Sequence, residues 1–153
     1  MSQRGQVYHN PKFQFHDGEV GNKLLILLNT PNKNEDYIFV KTTSKEKNRS
    51  KKSGCHKHPN YEQGEFFLQK DSACLDQPTW IIVSEIYPIL RESIDNNANW
   101  IKLKGKILPS KTVDKIIDCL FRFIGDDIPE IYEECLRPSI NDSILKLQEK
   151  FRS

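Results

Sequence analysis

Apolar positions fall in short runs separated by turn-forming residues, and their period changes near residue 110. Residues 24–28 read Leu-Leu-Ile-Leu-Leu, preceded by Gly21-Asn22-Lys23 and closed by Asn29-Thr30-Pro31-Asn32. A short apolar run between turn signals predicts a buried strand. Residues 37–43, Tyr-Ile-Phe-Val-Lys-Thr-Thr, are β-branched and aromatic and predict the second arm of a hairpin. Residues 65–68 and 80–83 supply two further strands, and 100–104 alternate apolar with basic as a strand with one wet face does, ended by Gly105. From Pro109-Ser110 the spacing becomes helical: Val113, Ile116, Ile117, Leu120, Phe121 and Ile124 form one stripe. Ser110 is placed to cap that helix and Gly125 to stop it. A weaker helical pattern covers 141–151, and the stretch 44–63 predicts a long exposed loop. Strands first and a helix last imply a mainly β (α+β) chain, either a small barrel or a curled antiparallel sheet capped by a helix.

Composition narrows the class. The chain has 153 residues, enough for one core without a structural metal, and its mean hydropathy of -0.64 suits a globular protein. Residues 1–12 hold no apolar leader, and no run approaches the ~20 apolar residues of a membrane span, so a cytoplasmic protein is expected, with no membrane partner. Cys55, Cys74, Cys119 and Cys135 are widely spaced with no Cys-x-x-Cys pair, which predicts reduced thiols. Cys55 and the histidines after it, His58 included, fit no standard zinc spacing even with Cys74 added. No metal is expected.

The net charge of +2 hides an uneven distribution. Residues 41–58 carry seven Lys/Arg against one acid, whereas 126–136 carry five acids and no base. The basic stretch suits a nucleic-acid backbone as well as it suits plain solvation. The acidic stretch suits a solvent-exposed connector, or a cover laid over the basic loop.

Three segments go beyond pattern. Cys74-Leu75-Asp76-Gln77-Pro78-Thr79 looks like the Asp-Gln-Pro segment that ends a turn in PemK/Kid-type toxins. Gly21-Asn22-Lys23-Leu24-Leu25-Ile26-Leu27 is similar to their Gly-x-Arg-Pro strand opening, and Thr43-Ser44 after Phe39-Val40 resembles their Thr-Ser at a strand end. Asp71-Ser72 and the helix from Ser110 also sit where that family has theirs. Over about residues 13–124 the chain therefore resembles the MazF/PemK (Kid) toxin family of type II toxin-antitoxin systems.

The resemblance implies an SH3-like small β-barrel, CcdB/MazF/Kid-like, in residues 1–124, with 125–153 as an acidic, helical extension. It further implies a homodimeric, metal-independent and cofactor-free endoribonuclease that acts on single-stranded RNA and is restrained by an antitoxin protein. The RNA's own 2′-hydroxyl would be the nucleophile, so the site needs a proton acceptor, a proton donor and donors for the phosphorus oxygens.

Carried over by position, Asp76, Thr43, Ser44 and His16 form the catalytic set, Asp76 moving protons and the two hydroxyls donating to phosphate or base. Lys23, Asp17 and Gln77 stand with the loop residues Lys45, Lys47, Arg49, Lys51 and Lys52 as RNA contacts. Lys23 replaces the family's usual arginine, Leu24 its proline, and Cys74 the arginine two residues before the aspartate. A thiol supplies neither the charge nor the donors of that arginine. The alternative is therefore a barrel that binds a protein or nucleic acid without cutting. Read from the residues alone, Asp76 also suits a simple turn, His16 an ordinary loop position, and Trp80 and Trp100 the core.

Overall fold

The computed structural model describes residues 2–69 and 75–137. Its strands are β1 Gln6–Gln14, β2 Val20–Leu27, β3 Tyr37–Thr43, β4 Gly54–Lys57, β5 Gly64–Leu68, β6 Thr79–Ile82, β7 Tyr87–Ile89 and, after helix α1 Arg91–Asp95, β8 Ile101–Ile107. Helix α2 Ser110–Ile124, a 3-10 turn at Gly125–Asp127 and α3 Glu130–Leu136 follow. The strands form one antiparallel sheet in the order β4-β5-β6-β3-β2-β1-β8, with β7 also paired to β3. The chain is thus mainly β with a few helices.

The sheet is not closed into a barrel, since β4 and β8 end it without pairing with each other. Helix α2 packs on β4 and β5 instead.

β2 and β3 form the expected hairpin, with Leu25 opposite Lys41 and Leu27 opposite Phe39. Both faces of the 24–28 run are covered, which is why it is apolar without alternation. Ile26 and Leu28 join Val40, Ile81 and the helix residues Val113, Ile116 and Leu120, whereas Leu25 and Leu27 join Tyr8, Phe13, Phe39 and Tyr87. Each buried aliphatic side chain contributes about 1.5–3 kcal/mol, so the α2 stripe alone fixes that helix against the sheet.

Several expectations are corrected. β1 went unseen because Pro11 and its polar neighbours disguise it; the proline sits at the irregularity between Asn10 and Phe13, where no ladder amide is needed. The predicted loop 44–63 contains β4, and His58 within it is buried, its Nδ1 accepting from the Asn60 amide at 3.0 Å. Gly105 does not end its strand. With φ +79 it forms a bulge in which residues 103–106 of β8 stand opposite the single residue Val7. The buried Gln6 amide donates to the bulge carbonyls of Leu103 (2.7 Å) and Lys106 (3.3 Å).

Ser110 is the first helical residue rather than a cap, and its carbonyl accepts from Arg4 Nη2 at 3.2 Å. Gly125 keeps a right-handed φ of -53, so the chain passes into the 3-10 turn. Past that turn, Ile128 and Leu136 join the same core as α2, and Tyr132 Oη donates to Asp36 at 3.1 Å. Those contacts anchor the acidic stretch on the core, while its five carboxylates stay exposed to solvent as expected. The helix expected over 141–151 and the residues Asp71, Ser72 and Cys74 lie outside the described residues.

The expectation of reduced thiols is overturned for two of the four cysteines. Cys55 on β4 and Cys119 on α2 are disulfide-bonded, with Cα atoms 5.6 Å apart, because α2 lies against the β4 edge. Cys135 is free. No helix of the described residues is long and apolar enough to cross a membrane.

Candidate functional site

The end of β3 is where polar side chains gather. The β2–β3 register, continued two residues past Leu25–Lys41, brings Lys23 beside Thr43, and Thr42 Oγ1 donates to the Leu24 carbonyl at 2.9 Å. On the other side β6 pairs Trp80 with Thr43, which carries the turn before it, Asp76-Gln77, to the same strand end. β1 sets Asn10 opposite Lys23 and His9 opposite Leu24, and the β8 bulge projects Lys106 toward Asp76. These pieces enclose a cleft of about 380 Å³ lined by His9, Asn22, Lys23, Thr43, Ser44, Lys45, Asp76, Gln77 and Lys106 among others.

Six residues singled out from the sequence therefore meet: Lys23, Thr43, Ser44, Lys45, Asp76 and Gln77. Asp76 Oδ2 accepts from Lys106 Nζ at 3.2 Å, and its side chain is otherwise open to solvent. Thr43 Oγ1 accepts from the Lys45 amide at 3.2 Å. Lys23 is half-buried, and its pKa is lowered, first by that burial and then by the charges of Lys41, Lys45 and Arg49. No carboxylate among the described residues answers it.

Other expected residues stand elsewhere. His16 is stacked on Tyr87 (4.0 Å, 6°), donates toward the Ile86 carbonyl at 3.0 Å and lies 3.8 Å from Glu85, so it turns away from the cleft lining. Asp17 accepts from the Glu19 amide at 2.9 Å and shapes the β1–β2 turn. Arg49 is drawn inward to the buried Glu65 at 2.7 Å. Lys51 pairs with Glu46 at 3.0 Å, while Lys47 and Lys52 are exposed on the same loop without lining the cleft. Trp80 is fully buried, its indole donating to the Ser50 carbonyl at 2.8 Å, and Trp100 stacks on Phe39 at 4.8 Å. Both are core residues.

Sequence reasoning missed His9, Asn22 and Lys106. His9 Nε2 lies 2.5 Å from Asn22 Oδ1, so the imidazole is held in place on a strand paired on both sides. The sequence offers little signal there, since Gln6-Val7-Tyr8-His9-Asn10 shows no apolar–polar alternation and Pro11 follows it.

A second, larger hollow of about 540 Å³ lies between β5 and α2, beside the disulfide and lined by Phe67, Leu68, Lys115 and Arg122 among others. It holds none of the sequence-predicted residues.

In chemical terms the first cleft offers a carboxylate, an imidazole, three ammonium groups and four hydroxyls, of which those of Thr42 and Thr79 are already given to backbone carbonyls. That set can bind a phosphodiester and move protons on either side of it. Compared with known proteins, the chain matches no family model and no curated protein.

Proposed function

We propose that this cleft binds single-stranded RNA and cleaves it without a metal, in the manner of the MazF/PemK toxins and their SH3-like barrels. The supporting observation is the convergence of Lys23, Thr43, Ser44, Lys45, Asp76 and Gln77, from three separate segments of the chain, on one cleft. In this scheme Asp76 and His9 handle the protons: one accepts from the 2′-hydroxyl while the other donates to the departing 5′ oxygen. Lys23, Lys45 and Lys106 face the phosphorus oxygens, and Thr43 and Ser44 donate to phosphate or base. His9 thus supplies the imidazole that the sequence assigned to His16. A cognate antitoxin and a homodimer belong to the same proposal.

Incubation with single-stranded RNA in excess chelator tests it. Fragments ending in 2′,3′-cyclic phosphate are expected, with strong loss in Asp76→Ala and His9→Ala. Intact RNA at stoichiometric protein would overturn cleavage.

A second function, binding without cutting, is favoured by one observation: the Asp76 side chain is 87% exposed and already paired with Lys106. Salt-dependent RNA binding that survives Asp76→Ala, with no fragments at any concentration, would select it. A cytoplasmic location goes with an RNA substrate, and there disulfides are usually reduced. RNA cleavage in that compartment therefore requires the fold to stand with Cys55 and Cys119 as thiols.

A further inference from the structure

Glu65 is a carboxylate side chain with no solvent exposure, on β5, the strand next to the β4 edge of the sheet. Its Oε2 accepts from Arg49 Nε at 2.7 Å and from Gln63 Nε2 at 3.2 Å, and its Oε1 faces His56 Nε2 at 3.6 Å across the β4–β5 ladder. Burying such a pair gains little stability over apolar side chains of the same volume, so stability does not account for it. What the pair does geometrically is plainer. Arg49 Nη1 donates to the Lys45 carbonyl at 2.7 Å, and the Lys45 amide in turn donates to Thr43 Oγ1. One hydrogen-bonded path runs from the buried carboxylate to the backbone whose side chains, Ser44 and Lys45, line the cleft.

We infer that Glu65 and Arg49 are positioning residues, which hold the Ser44–Lys45 backbone in the shape the cleft needs. The assignment rests on RNA binding in that cleft, and it changes the part given to Arg49: its guanidinium is committed to Glu65 and to a carbonyl rather than offered to a phosphate. The carboxylate fixes the guanidinium by a charge-assisted bond, and the planar fork aims Nε at a carboxylate and Nη1 at a carbonyl in a fixed geometry that a lysine's single ammonium nitrogen does not reproduce.

Charge and position predict opposite signs for Glu65→Gln. Removing a negative charge makes the protein more positive, so a purely electrostatic role predicts tighter RNA binding. Positioning predicts weaker binding, on the order of tenfold to a hundredfold for a displacement near 1 Å. Arg49→Met should lose a similar factor and Arg49→Lys should not rescue it. The double variant should be no worse than either single one, as for two links of one path. Tighter or unchanged binding in folded Glu65→Gln, or additive losses, would overturn the inference. Order parameters of the Ser44 and Lys45 amides supply a readout that needs no RNA: they should fall in Arg49→Met, and unchanged values would likewise overturn it. No RNA binding by the wild type, together with the expected amide change in Arg49→Met, would sink the RNA proposal alone.

Discussion

Reduction of the Cys55–Cys119 bridge is the perturbation whose size follows most directly from the structure. The two cysteines are 64 residues apart, and closing a loop of that length removes about 4 kcal/mol of conformational freedom from the unfolded chain. A domain of this size holds roughly 5–15 kcal/mol in all, so the reduced protein should remain folded. At about 2–4 °C per kcal/mol, its melting midpoint should fall by about 10 °C. Helix α2 should stay docked, because Val113, Ile116, Ile117 and Leu120 bury its stripe independently of the sulfurs. Calorimetry with and without a dithiol reductant measures the shift, and peptide mapping under non-reducing conditions checks that Cys55 is joined to Cys119. Equal midpoints, or native protein in which both thiols alkylate without reductant, would refute the bond's contribution. Reduced protein that unfolds outright at 25 °C would refute the ledger, and with it RNA cleavage in a reducing compartment.

Four further outcomes are expected. The Lys23 ammonium sits below its ordinary pKa of 10.5 in the free cleft because it is desolvated and crowded by cations. A bound phosphate favours the protonated form, so RNA affinity should fall as pH rises through the lowered value; in Lys23→Gln the fall should vanish, and the salt slope should drop by about 1. With no ligand, the unfolded chain holds that proton to higher pH than the folded one, so stability should rise through the same window, as denaturation at stepped pH would show. Burial, reinforced by the carboxylates of Glu35, Asp36 and Glu134, pushes the Cys135 thiol up to about 12, so iodoacetamide at mildly alkaline pH should label it far more slowly than in denaturant. Trp80→Phe strips the indole donor from the Ser50 carbonyl and should cost about 1–3 kcal/mol in chemical denaturation.

How much of this was legible in the chain depends on how local each cause is. β3 was read to the residue because a β-branched, aromatic run lies between polar turns, and period and propensity agree there. The α2 stripe was equally plain. β1 and β4 were not: one carries Pro11 at an irregularity, the other is four residues of mixed polarity at a sheet edge. The disulfide was out of reach, since residues so far apart in sequence meet only through the packing of α2 on the β4 edge. Among site residues, those on strand ends and on the Asp76 turn came together. His16 did not, because the turn after β1 folds its ring onto Tyr87.

The place of the cleft follows from a feature of β3 that no local pattern announces. Along Tyr37–Phe39 its neighbour is β7, and along Thr42–Thr43 it is β6, so its outer partner changes within one strand. At its far end the residues of β3 turn polar although Ile81 and Trp80 still pair with them, and Thr43, Lys23 and Asp76 converge there. Apolar residues would pack such a place more tightly, and solvent-facing lysines on a plain surface would spread apart. Lys23 does neither: it is half-buried, its proton weakened first by that burial and then by three neighbouring cations, with no carboxylate among the described residues to answer it. A local conflict of this kind costs stability in the free protein and would be relieved by a bound anion, which is why the cleft, rather than the larger hollow beside the disulfide, is the site proposed here for a phosphate.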